Sequence, residues 1–494
     1  MRIILSLVIL RVSNTMRGVT EMGKFGEQLI GAVPALGNLA ATLHGWRLNR
    51  LRYGNEYHRC IQEVLARDGW KLEQILRYQE ENLRHFIRHA VTHVPYYREL
   101  FRKLGLSPEE IKTVSNLQKI PTLEKSQVRE DPIRFVDERL NPKSLICDRT
   151  TGTTGTPIKI FKTSEVIQRH YAYFDVRCRR LAGMDFGREP YVMLGAQTVA
   201  PPSCTHPPFW CYNRVHRQLY MSVFHLSPIY LPYYFKEIRR RQYQAIMGYP
   251  SALHTLAQFI LDTGEDDFQF RTAVTSGEVL HSHQRRIIQQ AFGCKVFDQY
   301  GCTEICVFAA QCHEGSMHVS PDYGVLEVVD DTGQPVPVGT VGQFICTGLL
   351  NDAQVLIRYR LGDQGALSDE RCQCGSPLPV LKSIDGRSSD VFVLPDGRRI
   401  WEFEDKLYGV LSYVAEWQLV QEAPDLFTMC VVPAKGYSSV DNDQILRSLR
   451  HYLPGVNITI KIVPTIKQGP GGKRAVFVTR NPHDDDRIWP NRHG

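Results

Sequence analysis

Between residues 244 and 298 short apolar runs alternate with helical ones. Residues 245–247 read as a strand, 253–261 as a helix and 272–274 as a second strand. This alternation constrains the chain more than any other feature, because it specifies an α/β fold. Further strands are expected at 325–329 and 343–346. Residues 391–394 and 398–401 flank Pro395-Asp396-Gly397, a hairpin signal.

Upstream, residues 72–104 look helical, with Leu76, Leu83, Phe86, Ile87, Ala90 and Val91 at helical spacing. Pro95 is expected to end or interrupt that helix. Residues 168–183 carry a second helical pattern. After about residue 390 the pattern restarts on a smaller scale. Residues 417–420, 427–432 and 458–463 read as strands, and 442–453 as a helix presenting Ile445, Leu446 and Leu449 on one face. At 494 residues the chain exceeds one ordinary core. The expected division is an N-terminal helical extension (1–70), a large core domain (71–388) and a small C-terminal α+β domain (389–494).

Well upstream of the alternating region lies Asp148-Arg149-Thr150-Thr151-Gly152-Thr153-Thr154-Gly155-Thr156-Pro157. Glycine lets backbone approach a ligand closely, and threonine hydroxyls add donors to the exposed backbone N–H groups. Together they make a cradle for phosphate oxygens. The run lacks the Gly-Lys-Ser/Thr ending of a P-loop, so P-loop NTPase chemistry is not expected. Further polar motifs follow in order: Thr275-Ser276-Gly277-Glu278 after a predicted strand, Asp298-Gln299-Tyr300-Gly301-Cys302-Thr303-Glu304, Arg358-Tyr359-Arg360-Leu361-Gly362-Asp363, Asp385-Gly386-Arg387-Ser388-Ser389-Asp390, and Gln468-Gly469-Pro470-Gly471-Gly472-Lys473. Singly, each has an ordinary explanation: a surface carboxylate, a core tyrosine, a solvated lysine. The ordered set does not.

In this order the motifs resemble the adenylate-forming superfamily of acyl-CoA synthetases, in particular the branch of phenylacetate–CoA ligase and CapK-type proteins. Gly248-Tyr249-Pro250-Ser251 and Cys372-Gln373-Cys374-Gly375 point to that branch. The resemblance implies a large N-terminal adenylate-forming domain with mixed sheets and a small C-terminal lid. It implies that a carboxylic acid attacks the α-phosphate of ATP, giving acyl-AMP and pyrophosphate, and that the acyl group then passes to a thiol, CoA. One anion attacks another, so catalysis rests on positioning and positive charge.

The resemblance assigns Thr150, Thr151, Gly152, Thr153, Thr154 and Gly155 to the β- and γ-phosphates. Tyr300 would lie on the adenine, with Ser276, Gly277 and Glu278 lining the base site and Gly301 and Thr303 completing the nucleotide motif. Glu304 would bind Mg²⁺, whose preference for oxygen suits a carboxylate. Asp363 would take the ribose hydroxyls and Arg387 ribose or phosphate. Lys473 would neutralise charge at the α-phosphate. Many relatives carry lysine directly after the loop's proline; here Ile158 holds that place and Lys159 follows, so either Lys159 serves or the lysine is dispensable. Tyr249 and Pro250, with the aromatic and proline-rich stretch 191–234, are expected to shape a pocket for an aryl or other apolar acid. Two rivals stay open: transfer of the acyl group to an amine, sugar or carrier protein, and a non-catalytic nucleotide-binding scaffold.

Thirteen cysteines, an odd number, are mostly scattered singly without a convincing secretory signal. A reducing, cytoplasmic setting is expected. Cys312, His318, Cys372 and Cys374 offer a tetrahedral thiolate–imidazole set for structural zinc, with His313 as a substitute for His318 and Cys306 as a competing thiol. Residues 3–10 are apolar but too short to span a bilayer, and no small-residue cleavage site follows; translation is expected to begin at Met16 or Met22. Hydrophobic content of 43% and charged content of 22% mark a globular chain. A net charge of +7 suits an anionic small ligand. With no basic run interleaved with aromatics, nucleic acid is not an expected partner; a homodimer remains open.

Overall fold

A computed structural model describes residues 34–479, except 151–157, 186–188, 196, 198, 201–203, 266–267, 388–391, 396–398, 401–406, 408–409, 412, 435, 454 and 467–475. Helices α1 (Pro34–Arg52), α2 (Asn55–Arg67), α3 (Leu72–His93) and α4 (Pro95–Leu104) come first. In α3 the predicted stripe is buried at Leu83, Phe86, Ile87 and Ala90. Val94 takes the extended conformation that a following proline imposes. Pro95 then opens α4 at its first turn, where no N–H is needed, so the proline divides the predicted helix in two.

The antiparallel hairpin of β1 (Ile146–Arg149) and β2 (Lys159–Lys162) precedes α5 (Ser164–Phe174), whose first turn is capped by the Thr163 hydroxyl accepting from the Val166 N–H. The predicted helix 168–183 continues only as a wider, π-type turn over Asp175–Arg179. Next come β3 (Tyr191–Leu194), β4 (Trp210–Asn213), β5 (Gln218–Met221), α6 (Leu231–Arg241), β6 (Ala245–Gly248), α7 (Pro250–Thr263), β7 (Thr272–Ser276), α8 (Ser282–Phe292), β8 (Lys295–Gly301), β9 (Phe308–Gln311), β10 (Met317–Val319), β11 (Gly324–Val329), β12 (Gly342–Gly348), β13 (Tyr359–Ser368) and β14 (Val380–Arg387). The strand–helix–strand reading of 244–298 is β6–α7–β7, as predicted.

Twelve of these strands form one sheet, in the order β11-β12-β13-β14-β10-β9-β8-β7-β6-β3-β5-β4. β5, β3, β6, β7 and β8 run parallel, and from β8 onward each pairing is antiparallel. Gly248 ends β6, and a Cβ there would lie 2.3 Å from the Leu194 carbonyl oxygen, so only glycine admits this approach to β3. One face of the parallel half packs Val192, Leu219, Ile246, Ala273 and Val296 against α6, α7 and α8. The other packs Tyr191, Met247, Val274 and Phe297 under α2 and α5.

Beyond β14, the paired strands β15 (Phe392–Val393) and β16 (Arg399–Ile400) form the predicted hairpin. A four-stranded sheet of order β19-β18-β17-β20 follows, from β17 (Val414–Ala423), β18 (Leu426–Pro433), β19 (Asn457–Ile462) and β20 (Phe477–Thr479), with α9 (Ser439–Tyr452) packed on it. Its core is separate: Phe392, Leu419, Phe427, Met429, Ile445 and Leu449 pack together. Burying each such side chain contributes about 1.5–3 kcal/mol. No described helix is long and apolar enough to cross a membrane.

Candidate active site

In an open parallel sheet, ligands bind beyond the carboxyl ends of the strands. Here those ends carry Tyr249 and Pro250 after β6, Ser276, Gly277 and Glu278 at the end of β7, and Tyr300 and Gly301 at the end of β8. Gly277 turns the chain in the left-handed region (φ 85°), which a side chain would strain. Pro250 opens α7, and the next N–H, that of Ser251, donates to Glu278 Oε2 at 3.1 Å. The helix N-terminus thus holds a carboxylate. Glu278 Oε1 is buried with no hydrogen-bond partner among the described residues. Burial first, and Glu278 second, push the Tyr249 phenol well above its usual range.

The Tyr300 hydroxyl donates to Asp363 Oδ2 at 2.7 Å. This bond joins motifs from β8 and β13. Asp363 in turn faces Arg387 across the β13–β14 ladder; the Arg387 side chain lies outside the described residues. Glu304 is 5% exposed and accepts from the Tyr359 hydroxyl through Oε1 at 3.0 Å. An oxygen ligand beside a nucleotide motif fits Mg²⁺ in chemistry. Thr303 is half-buried and Gly301 is exposed.

Thr150 ends the β1–β2 hairpin: its N–H donates to the Ile158 carbonyl at 3.0 Å, and its hydroxyl accepts from the Ile158 N–H at 3.1 Å. These bonds close the base of the predicted phosphate loop. Thr151, Gly152, Thr153, Thr154 and Gly155 lie outside the described residues, as does Lys473. Lys159 is exposed on β2.

Two residues of the quoted motifs acquire roles that the sequence did not assign. Tyr359 orients Glu304. Asp298 accepts from the Thr275 hydroxyl at 2.6 Å, and burial pushes its carboxyl up to about 6 against the opposing effects of Thr275 and Arg285. Both lay within motifs already singled out, but their partners are 55 and 23 residues away.

The Cys/His set converges. The ligand atoms of Cys312, His318, Cys372 and Cys374 all lie within 4.8 Å of one another. Cys312 Sγ is 3.6 Å from Cys372 Sγ, and Cys374 Sγ is 3.3 Å from His318 Nε2. Tetrahedral zinc with Zn–S near 2.3 Å needs sulfur–sulfur edges of about 3.8 Å. Cys312 leaves β9, His318 sits on β10, and the two other thiols come from the β13–β14 connection. His318 Nδ1 bonds the Leu378 carbonyl at 3.0 Å, which turns Nε2 toward the sulfurs. The Cys374 and Ser376 N–H groups donate to Cys372 and Cys374 sulfur, each at 3.4 Å. The donor set therefore fits zinc. His313, 59% exposed and beside Glu314, does not join it. Cys306 is not part of it either; it packs within the core shared by Val325 and Cys346.

Comparison with known proteins identifies the family. The family model described as AMP-binding enzyme matches residues 76–351. Protein CapK of Staphylococcus aureus is 25% identical over 453 residues, covering 88% of this chain and 95% of CapK. Phenylacetate-coenzyme A ligase of Thermus thermophilus is 27% identical over 364 residues, covering 70% and 78% of the two chains. In fold, the chain is similar to a 2-hydroxyisobutyryl-CoA ligase crystallised in its postadenylation state with an acyl-AMP (TM-score 0.67, 19% identity, 85% of this chain and 92% of that one). The sheet, the strand-end motifs and the span of the match lead to one conclusion: this chain belongs to the AMP-binding enzyme family.

Proposed function

We propose that this protein activates a carboxylic acid with ATP, releasing pyrophosphate, and passes the acyl group from acyl-AMP to the thiol of CoA. The observation that carries this reading is the Tyr300–Asp363 bond. It gathers an aromatic face and a carboxylate at the strand ends, next to the Ser276–Glu278 turn and the Glu304–Tyr359 pair.

In this reading Thr150 to Gly155 hold the β- and γ-phosphates. Tyr300 lies on adenine, and Ser276, Gly277 and Glu278 line its edge, with Gly301 and Thr303 flanking. Asp363 and Arg387, set opposite each other by the strand register, take the ribose and the adjoining phosphate. Glu304 would hold Mg²⁺, which supplies charge neutralisation at the phosphates when bound. Tyr249 and Pro250 border the acid. Residues 389–494 form a lid that pivots near Asp390 and brings Lys473 to the α-phosphate. The separate core of that region supports independent movement. Zinc on Cys312, His318, Cys372 and Cys374 would tie β9, β10 and the β13–β14 connection together, a structural role suited to four protein ligands.

The test is Lys473→Ala in ATP–pyrophosphate exchange. Exchange should fall about 10²–10³-fold, the usual loss for removing a transition-state donor; retained exchange refutes the assignment. For zinc, protein purified without chelator should contain one equivalent, and Cys374→Ser should lose it. Metal-free wild-type protein refutes the site. A second reading, transfer to an amine, sugar or carrier protein, is favoured by the span of the CapK similarity, 88% of this chain against 70% for the ligase. Adding CoA to pre-formed acyl-AMP on the enzyme separates the two.

A further inference from the structure

Helix α1 is apolar on two opposite sides, and one of them faces inward. Ala41 packs with Val199, Cys211 and Tyr220, and Leu48 is buried further along the same side. The helix covers the open edge of the twelve-stranded sheet. The Tyr212 N–H of β4 donates to Asn38 Oδ1 at 2.7 Å, and the Arg214 N–H just beyond β4 donates to the Thr42 hydroxyl at 3.3 Å. These bonds occupy an edge that would otherwise offer its N–H groups to another strand. They also hold α1 with its second side turned outward.

That side carries Leu39, Leu43, Trp46 and Arg50, which share one helical stripe. Leu39 is 42% exposed and Trp46 is 55% exposed, with Leu43 half-buried between them. A single exposed leucine is ordinary. Two leucines and a tryptophan in line make a contiguous apolar ridge. The charge around the ridge has one sign. The Arg50 guanidinium lies 4.8 Å from the centre of the Trp46 ring, and Arg214 is exposed on the β4–β5 turn that meets Thr42. Neither α1 nor residues 213–218 contain Asp or Glu. No carboxylate pairs with Arg50 or Arg214 among the described residues. The ridge exposes on the order of 200 Å², against the ~800 Å² per partner that a stable dimer buries, and a second copy would bring the same arginines with it. An anionic bilayer needs neither that area nor a matching carboxylate. Tryptophan settles at the boundary between headgroups and acyl chains, and arginine reaches from there to the phosphates.

We infer that the outer side of α1 docks this protein on an anionic lipid bilayer. Leu39, Leu43 and Trp46 enter the headgroup boundary, and Arg50 and Arg214 meet lipid phosphates. Apolar insertion and basic charge together hold a peripheral protein on a membrane where either alone is marginal. The helix lies on the surface rather than crossing it, because its inner side is committed to β4 and β5 through Cys211 and Tyr220. This inference does not depend on the adenylation reading.

The test is co-sedimentation of the full chain with vesicles of phosphatidylcholine alone and of phosphatidylcholine mixed equally with phosphatidylglycerol. Wild-type protein should partition about 10- to 30-fold more strongly onto the anionic vesicles, since each arginine near the surface is worth about five-fold, and the preference should fade as salt is raised. L39E/W46E should lower partitioning at least about 10-fold. R50Q/R214Q should lower it about 25-fold on the anionic vesicles and leave phosphatidylcholine unchanged. Wild-type protein that stays in the supernatant with anionic vesicles overturns the inference. So does partitioning that L39E/W46E leaves intact, which would put the lipid contact elsewhere in the chain. A wild-type dimer that becomes a monomer in L39E/W46E, read by analytical ultracentrifugation without lipid, makes the ridge an interface between copies and also overturns it. If L39E/W46E does not fold, as judged by its melting curve, R50Q/R214Q carries the test, and binding equal to wild type then overturns the docking.

Discussion

The two faces of the parallel strands differ in chemistry although they share a backbone. Under α6, α7 and α8 the core is largely apolar, with phenols such as Tyr234 and Tyr243 among the hydrocarbon, and Leu253, Leu256, Ile288 and Phe292 close on Val192, Ile246 and Val296. The ion pairs of α6, such as Arg239–Glu265 and Arg240–Glu237, stay at the surface. Under α2 and α5 the opposite face buries charge. Arg67 bonds Asp322 at 2.8 Å, Arg177 reaches the same oxygen at 3.5 Å, and the Tyr173 hydroxyl bonds the Asp322 carbonyl at 2.8 Å. Hydrocarbon packing is tolerant of exchange, whereas a buried polar network depends on every partner being present. The face that carries the network is the one whose helix α5 packs through Phe174 on Phe308, the cross-strand partner of Gly301. Fixed charges and phenols there cost stability but position groups.

Substitutions can break this contrast. Asp322→Ala leaves two guanidinium groups buried without their shared carboxylate, and should destabilise by about 3–5 kcal/mol, read as a fall in the denaturant midpoint. Exchange of the whole Arg67–Asp322–Arg177 set for apolar residues should recover much of that loss, because the charges no longer need compensation. On the other face Leu256→Ala should cost about 2–5 kcal/mol, and Leu256→Met less than about 1.5 kcal/mol. Equal sensitivity to conservative exchange on both faces would erase the distinction.

A smaller effect sharpens it. His216 is 2% exposed, and burial first, then Arg52 and Arg179, hold it at about 3. The folded state therefore binds fewer protons than the unfolded chain between pH 3 and about 6.5. The stability tied to neutral His216 is complete above pH 6.5 and is lost as pH falls toward 3. His216→Gln should flatten the fall by about 1.4 kcal/mol per pH unit, measured by chemical denaturation across that window. An unchanged slope would mean the polar face does not hold this ring neutral.

How much of this was legible beforehand depended on the distance between partners. The β6–α7–β7 alternation, the buried stripe of α3 and the Ile445–Leu449 face of α9 are patterns within one element, and periodicity exposes them. Pro95 was read as a break because its effect on Val94 is local; that a new helix starts there rested on Tyr97 and Phe101 finding the core. The Cys/His set was named from residue types as Cys312, His318, Cys372 and Cys374 with His313 as a substitute, and it was β10 that set His318 rather than His313 under the β13–β14 connection. Tyr359 stood inside a motif with no task until folding placed it against Glu304.

The sequence by itself determined the α/β class, a C-terminal region with its own apolar face, the order of the nucleotide motifs and the chemical types available for metal and phosphate. These follow from side-chain period and from the few residues able to do a given chemistry. Only tertiary structure decided which carboxylate meets which hydroxyl, which histidine joins the thiols, and that α1 turns Trp46 outward. Those outcomes depend on strand order and register, where a shift of one residue moves every side chain to the other face, and no local pattern encodes that choice.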